Sequence, residues 1–519
     1  MVVKSYLTQG KKHIFDFLKR IDEFYNKYFK YILTAWTILV FISIIFKCAT
    51  LLLVLTTFLW LNNIMYALKK PYERVLFLLF HGTFFVFLLC RPLIALVTTE
   101  NWIEFQINNY GATSDSVFRV VYCLVISLIS MRIGAEWFEN STQKVRLQKL
   151  KKVIHGKIQG VDFDLQTTKN VRYLTLILFL VSLVFRMILE IEKIVYIMGH
   201  SYLQLYSEFE TSTPYIFYVI SSFFPYAMSA YLATFPSKLA SSLVLGGYIL
   251  TTIPTALGGE RSRIVLSVCL TFVYFVFRDF CGPKKKWIGK TEKIIIACVT
   301  VVGIILMGAM NYLREDSSIQ MNVFELTTDF FFKQGVTFSW VCAGMAQIGT
   351  LRNMGVINYT LGSLLDYLLH GSVAQLFFNA AAIPSNNNMA QITMGNQMSH
   401  HLSYVVMGSE RYLEGHGTGS SYILELYTDF DLLGIALFSV VLGIFLVWIL
   451  TAMKKSFIIR VCALCAVSTL LLMPRSSTVD FISFLWRIPF WLTVVYVIVG
   501  AFLIKCFSKQ TFKNDDDII

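Results

Sequence analysis

Runs of about twenty apolar residues recur along almost the whole chain, separated by short charged segments, and no other feature limits the fold so strongly. Inside hydrocarbon, every backbone N–H and C=O must be satisfied by the chain itself, so only helices or closed barrels cross a bilayer. Barrel strands alternate apolar and polar residues; these runs are continuously apolar. The expectation is an all-α, polytopic integral membrane protein. Composition excludes the soluble alternative. Of 519 residues, 56% are apolar and only 15% are charged, where a soluble protein carries about 25% charged. Disordered, collagen-like and disulfide-stapled secreted classes are excluded too. The ten Cys fall mostly within apolar runs, and no CxxC or metal knuckle lies on a loop.

Twelve spans are expected: 31–46, 48–68, 75–98, 117–137, 172–197, 214–235, 237–257, 264–280, 294–313, 432–453, 461–485 and 487–506. The eleventh is interrupted near Pro474. Residues 1–30 carry seven Lys/Arg, with Ile14, Leu18, Ile21 and Tyr25 at helical spacing, and read as a basic amphipathic segment on the cytoplasmic face. The organisation is then 1–30, spans one to nine in 31–313, a large extracytoplasmic loop 314–431, spans ten to twelve in 432–506, and a cytoplasmic tail 507–519. The net charge is +13, and the loop of 118 residues holds four basic against ten acidic residues. The positive-inside rule therefore puts both termini in the cytoplasm. No basic stripe lies on a soluble domain, so the expected partner is the lipid bilayer and not nucleic acid. Apolar stretches at 337–349 and 364–383 of the loop read as short helices lying on or dipping into the outer leaflet.

Charges within or beside spans need reasons, because burying one at the bilayer centre costs roughly 2.5–3.5 kcal/mol on insertion scales. Arg186 and Glu190 are spaced for an i,i+4 ion pair. Arg91-Pro92 either snorkels or faces a polar cavity. Arg261 and Arg263 follow Gly258-Gly259 at the expected outer start of span eight. Arg475 and Arg487 reach the same side from the last two spans; Arg314 and Arg411 lie in the loop. Arginine grips phosphate oxygens through a planar fork, and a helix N-terminus adds free N–H groups. Arg261, Arg263, Arg475 and Arg314 are thus expected to bind a pyrophosphate in the outer leaflet.

The stretch Gly415-His-Gly-Thr-Gly-Ser-Ser-Tyr-Ile-Leu-Glu425, with the segment through Gly434, resembles a signature of Wzy-type oligosaccharide repeat-unit polymerases. The chain departs from that pattern at Asp431, where the resemblance leads one to expect glycine. Twelve spans and one large late loop extend the resemblance over nearly the whole length. It implies a GT-C-like membrane glycosyltransferase of the bacterial plasma membrane. Such an enzyme moves a growing glycan from polyprenyl pyrophosphate onto the next lipid-linked repeat unit. It also implies a chain-length regulator and a flippase as partners of the pathway.

The chemistry needs countercharge for the leaving pyrophosphate, which Arg supplies without a metal or cofactor, and an acceptor for the attacking hydroxyl's proton. His416, Glu425 and Arg411 are the catalytic candidates; His400, His401, Glu410 and Glu414 lie near them in sequence. His416 is equally readable as a solvated loop histidine, and Glu425 as a helix-surface carboxylate. Gly415, Gly417, Gly419, Ser420, Ser421 and Tyr422 form the positioning motif, with Ser420 or Ser421 placed to cap a helix. A polysaccharide ligase using the same donor is the near alternative. A lipid-linked oligosaccharide transporter is the distant one, disfavoured by the long loop and the lack of an internal repeat.

Overall fold

The computed structural model describes residues 34–150, 165–200, 204–257, 262–281, 286–296, 322–384 and 386–516, with isolated positions between 298 and 308. The basic segment 1–30, Arg261, Arg314 and most of the expected ninth span lie outside the described residues. Among those described, nine helices are long and apolar enough to cross a membrane, and no strand occurs. A short apolar helix α1 (Thr34–Ile45) precedes α2 (Ala49–Lys69), α3 (Val75–Thr98), α4 (Trp102–Tyr110), α5 (Ser114–Leu150) and α6 (Leu165–Gly199). Then come α7 (Tyr215–Ala233), α8 (Lys238–Leu257) and α9 (Ser262–Phe280). The long loop contributes α10 (Val323–Gln334), α11 (Val336–Ala346), α12 (Gly362–His370) and α13 (Met398–Met407). The chain ends with α14 (Tyr422–Met453), α15 (Phe457–Leu472) and α16 (Ile488–Asp516). Many side chains along these helices are exposed and apolar, as a lipid-facing surface requires, including Phe41, Phe46, Val97, Leu243 and Phe502.

The centre of the molecule is the α5–α14 pair, the most extensive helix contact in the structure. A Cβ on Gly443 would stand 2.0 Å from the Met131 carbonyl oxygen, and one on Gly134 would stand 2.1 Å from that of Val440. Only glycine permits this approach, which gains dispersion contact where lipid tails offer no hydrophobic drive for association. The same interface buries a hydroxyl network. Ser127 Oγ lies 2.7 Å from Tyr422 OH and 2.8 Å from Ser439 Oγ. Each polar group thereby finds a partner inside the bundle, where none is available from lipid.

Three elements differ from the sequence expectation. The tenth span begins ten residues early, at Tyr422, because α14 opens with about two and a half turns of mostly buried helix before it breaks at Asp431. The eleventh is shorter: α15 stops at Leu472, Met473–Arg475 tighten into a 3₁₀ turn at Pro474, and Asp480–Trp486 form a second 3₁₀ segment. Proline cannot continue the α-helical ladder, so the apolar residues beyond it pack as a folded-in loop. Finally, α11 is buried inside the protein rather than lying on its surface, with Phe338, Val341 and Cys342 closed off from solvent. The 364–383 region instead leaves Leu368, Leu376, Phe377 and Phe378 exposed.

Candidate functional site

The glycine motif is a loop between a short helix, Ser409–Leu413, and α14. Gly415 and Gly419 have φ of 96° and 75°, which side chains on L-residues resist. Loop contacts hold the turns in place. Thr418 N–H donates to Ser403 Oγ of α13 at 3.0 Å, and Asn387 Nδ2 donates to the carbonyls of Tyr412 and His416 at 2.8 and 2.9 Å. Ser421 is the N-cap of α14, its side chain accepting from Ile423 N–H at 3.4 Å. Ser420 turns the other way and donates to Glu425 Oε1 at 2.6 Å.

Glu425 is fully buried, and both its oxygens are engaged. Oε2 accepts from the Thr478 N–H at 2.7 Å and from Thr478 Oγ1 at 2.8 Å. One carboxylate therefore ties the glycine loop to the segment between the last two spans. That segment carries Arg475, Asp480 and Arg487. A Cβ on Gly419 would meet the Arg475 carbonyl oxygen at 3.6 Å, so the two loops are in direct contact. Arg475 Nη1 lies 3.4 Å from Gln334 Oε1 at the end of α10, with its guanidinium 5.7 Å from the Phe87 ring of α3.

The same α10–α11 junction is pinned by Arg91. Its guanidinium donates to the Phe332 carbonyl at 2.8 Å and to Tyr110 OH, and lies 4.0 Å from the Phe332 ring. A π-helical turn at Phe85–Leu89 precedes Arg91-Pro92 and aims the side chain inward. Arg263 belongs to a different neighbourhood. It stands exposed at the start of α9 and bears on Glu190 of α6. Glu190 is buried, pairs with Arg186, lies 3.6 Å from Lys193 and accepts from Thr255 at 2.7 Å. The i,i+4 pair read from the sequence is present.

Arg411 and Glu414 are exposed; His416 is half-buried, its Nε2 3.8 Å from a Glu414 oxygen. His400 and His401 point into the protein. His400 Nδ1 sits 2.8 Å from Tyr412 OH, and His401 holds the Gln397 and Ile392 carbonyls. Burial lowers the His400 pKa to about 4. Among the described residues no group of three His, Cys, Asp or Glu is arranged to hold a metal ion.

Sequence reasoning missed Arg352, Asp429, Thr478 and Asp480. Asp429 accepts from the N–H groups of Tyr359 and Thr360 at 3.2 and 2.6 Å, fastening the long loop to α14. Asp480 had a signal: a carboxylate within a stretch otherwise apolar enough to read as a span.

A multi-helix membrane bundle with a glycine-rich loop locked onto an arginine-bearing segment late in the chain defines a polytopic membrane protein with a polar site built between its last spans. Residues 28–510 match the O-antigen polysaccharide polymerase Wzy family. The chain belongs to that family, whose members are membrane polymerases of lipid-linked oligosaccharide repeat units. Comparison with curated proteins and with solved structures gave no match.

Proposed function

We propose that this chain joins polyprenyl-pyrophosphate-linked repeat units into surface polysaccharide on the outer face of a bacterial plasma membrane, with both termini in the cytoplasm. The observation that supports this reading is the Glu425 junction, which joins the glycine loop to the Arg475 segment. His416 lies in that loop, and Arg411 in the short helix before it. A sugar hydroxyl of one lipid-linked unit attacks the anomeric carbon of the glycan on another, and the lipid pyrophosphate departs. Charge builds on the departing phosphate, and fixed guanidinium groups stabilise it more in the transition state than in the ground state. Arg475 is the described guanidinium that adjoins the glycine loop and takes this role; Arg263, beside Glu190, lies in another neighbourhood, and Arg261 and Arg314 lie outside the described residues. His416, half-buried between two glycines, is open to an acceptor sugar. Glu425 is a positioning residue: with both oxygens occupied, it supplies the shape of the floor. The arginines supply the countercharge, so turnover proceeds without a metal ion. A flippase delivers the substrate and a chain-length regulator acts on the product.

The test is reconstitution of the purified chain in vesicles with a lipid-linked repeat unit. The expected product is a ladder of polymer, undiminished by a chelator. Transfer only to a foreign acceptor supports the ligase alternative, and movement of the lipid without joining supports the transporter.

A further inference from the structure

A glycosyl transfer needs a group to take the attacking hydroxyl's proton. Of the carboxylates near the site, Glu410 and Glu414 are exposed, and Glu425 has no free oxygen. Asp480 is different. It begins the 3₁₀ segment Asp480–Trp486, two residues beyond Thr478, whose N–H and hydroxyl hold Glu425. Its backbone is fixed by that contact, while its side chain remains half-buried rather than enclosed. Three elements converge on it. From α12 the Ser363 hydroxyl, itself closed off from solvent, faces the carboxylate without closing a hydrogen bond. From the start of α16 comes Arg487, exposed, with its guanidinium 5.8 Å from the Tyr367 ring of α12. From α14 comes the buried Glu425. In the same loop the Ser476 hydroxyl is also buried with no hydrogen-bond partner. One buried, unsatisfied hydroxyl facing a half-buried carboxylate, with a second such hydroxyl in the same loop and an exposed guanidinium near by, leaves hydrogen-bonding capacity unused around Asp480. A sugar, rich in hydroxyls, supplies partners for it.

We propose that Asp480 is a catalytic residue, the proton acceptor for the attacking sugar hydroxyl, with Ser363 and Ser476 as contacts for the acceptor sugar; this rests on the polymerase reading above. The hydroxyl proton passes to the Asp480 carboxylate. The oxygen's electron pair forms the new bond to the anomeric carbon. The old anomeric C–O bond breaks, and its electron pair leaves on the polyprenyl pyrophosphate. The proton then returns to solvent, to which Asp480 is partly exposed. Burial raises the Asp480 pKa, and the Ser363 hydroxyl and the Arg487 charge partly offset that rise. A carboxylate made more basic in this way is better matched to a proton-transfer role near neutral pH.

The experiment uses full-length protein in vesicles with a lipid-linked repeat unit, comparing wild type, Asp480→Asn, Asp480→Glu and Asp480→Ala. Asp480→Asn should lower kcat by about a hundred-fold or more, the range for loss of a general base, with KM little changed. Asp480→Glu should recover part of the loss, and added formate should partly rescue Asp480→Ala. The wild-type rate should rise with pH as the carboxylate ionises, and that limb should vanish in Asp480→Asn. An active wild type together with an undiminished Asp480→Asn overturns the assignment and leaves the polymerase reading standing. So does a loss that neither glutamate nor formate restores and that leaves the pH profile unchanged. A wild type that makes no polymer overturns the polymerase reading and this proposal with it.

Discussion

Arg352 Nη2 stands 2.7 Å from Asp431 Oδ1, at the residue where α14 breaks. The same guanidinium donates to the Thr428 and Tyr427 carbonyls at 2.9 and 3.0 Å. It thus satisfies carbonyls at the end of the first half-helix, as a helix C-terminus requires. Asp431 itself has φ 53° and ψ −151°, a conformation that favours glycine. Its backbone therefore makes the turn for which the sequence resemblance leads one to expect glycine, and the Arg352 contact gives the side chain a use there.

Stability at this break should separate the two residues. Strain of this kind costs about 1–3 kcal/mol, while an exposed ion pair contributes about 0–1 kcal/mol. Asp431→Gly should leave thermal stability in detergent unchanged or higher, and Asp431→Ala should lower it slightly. Arg352→Ala should lower it more, by about 1–3 kcal/mol, because carbonyls lose a charged donor. Asp431→Gly as damaging as Arg352→Ala would refute this division.

Glu425→Ala removes both acceptor oxygens and leaves the buried Thr478 N–H without its partner. A loss of about 1–3 kcal/mol is expected from the unsatisfied donor, with polymer falling because the Arg475 segment is no longer held to the glycine loop. Unfolding midpoints and polymer yield measured on the same preparation check both effects. An unchanged midpoint would mean the junction is not a fastening.

Acid should weaken the α13 region through His400. Its folded-state pKa, near 4, lies below the ordinary histidine value, so the unfolded chain binds the proton more readily. The contribution is fully present above the unfolded pKa of about 6.5 and is lost as pH falls towards 4. His400→Gln should therefore lose less of its unfolding temperature than wild type between those limits. An equal loss in both proteins would remove His400 as the cause.

Arg475→Lys retains charge but loses the planar fork. About 1.5–3 kcal/mol of a charge-assisted contact corresponds to roughly ten- to hundred-fold less polymer. Single repeat units should then accumulate on the lipid carrier, with the variant reaching the membrane normally. Lys193→Ala, whose side chain sits by Glu190, is the control. Wild-type polymer from Arg475→Lys would take this guanidinium out of the clamp.

Sidedness is measurable by cysteine labelling with a membrane-impermeant reagent. Cys48, Cys281, Cys298 and Cys506 are exposed and must first be replaced. Glu414→Cys should label in intact cells, and Ser141→Cys only after permeabilisation. The reverse pattern would invert the proposed topology.

The apolar runs made most of the helical framework legible, because hydropathy averaged over about twenty residues reports the need for a spanning helix. It misjudged both helices that build the site. Residues 422–431 carry Glu425, Asp429 and Asp431, so their average polarity hid a helix buried against protein rather than lipid. Residues 476–485 are apolar enough to read as membrane-spanning, yet they fold back beside Thr478 and Asp480. Hydropathy records burial and is blind to what covers the residue. The glycine motif was readable as a turn; the partner of Glu425, 53 residues away, had no local signal.

Helices in contact at the level of Cα against carbonyl oxygen, as at Gly443 and Met131, have no clearance for sliding by a turn. The glycine loop rides directly on that pair, so it behaves as an anvil. Under the proposed reaction the growing sugar chain crosses a surface that stays still. The Glu425–Thr478 contacts make the 476–487 segment part of that fixed surface. A disulfide engineered between α5 and α14 should accordingly leave turnover intact.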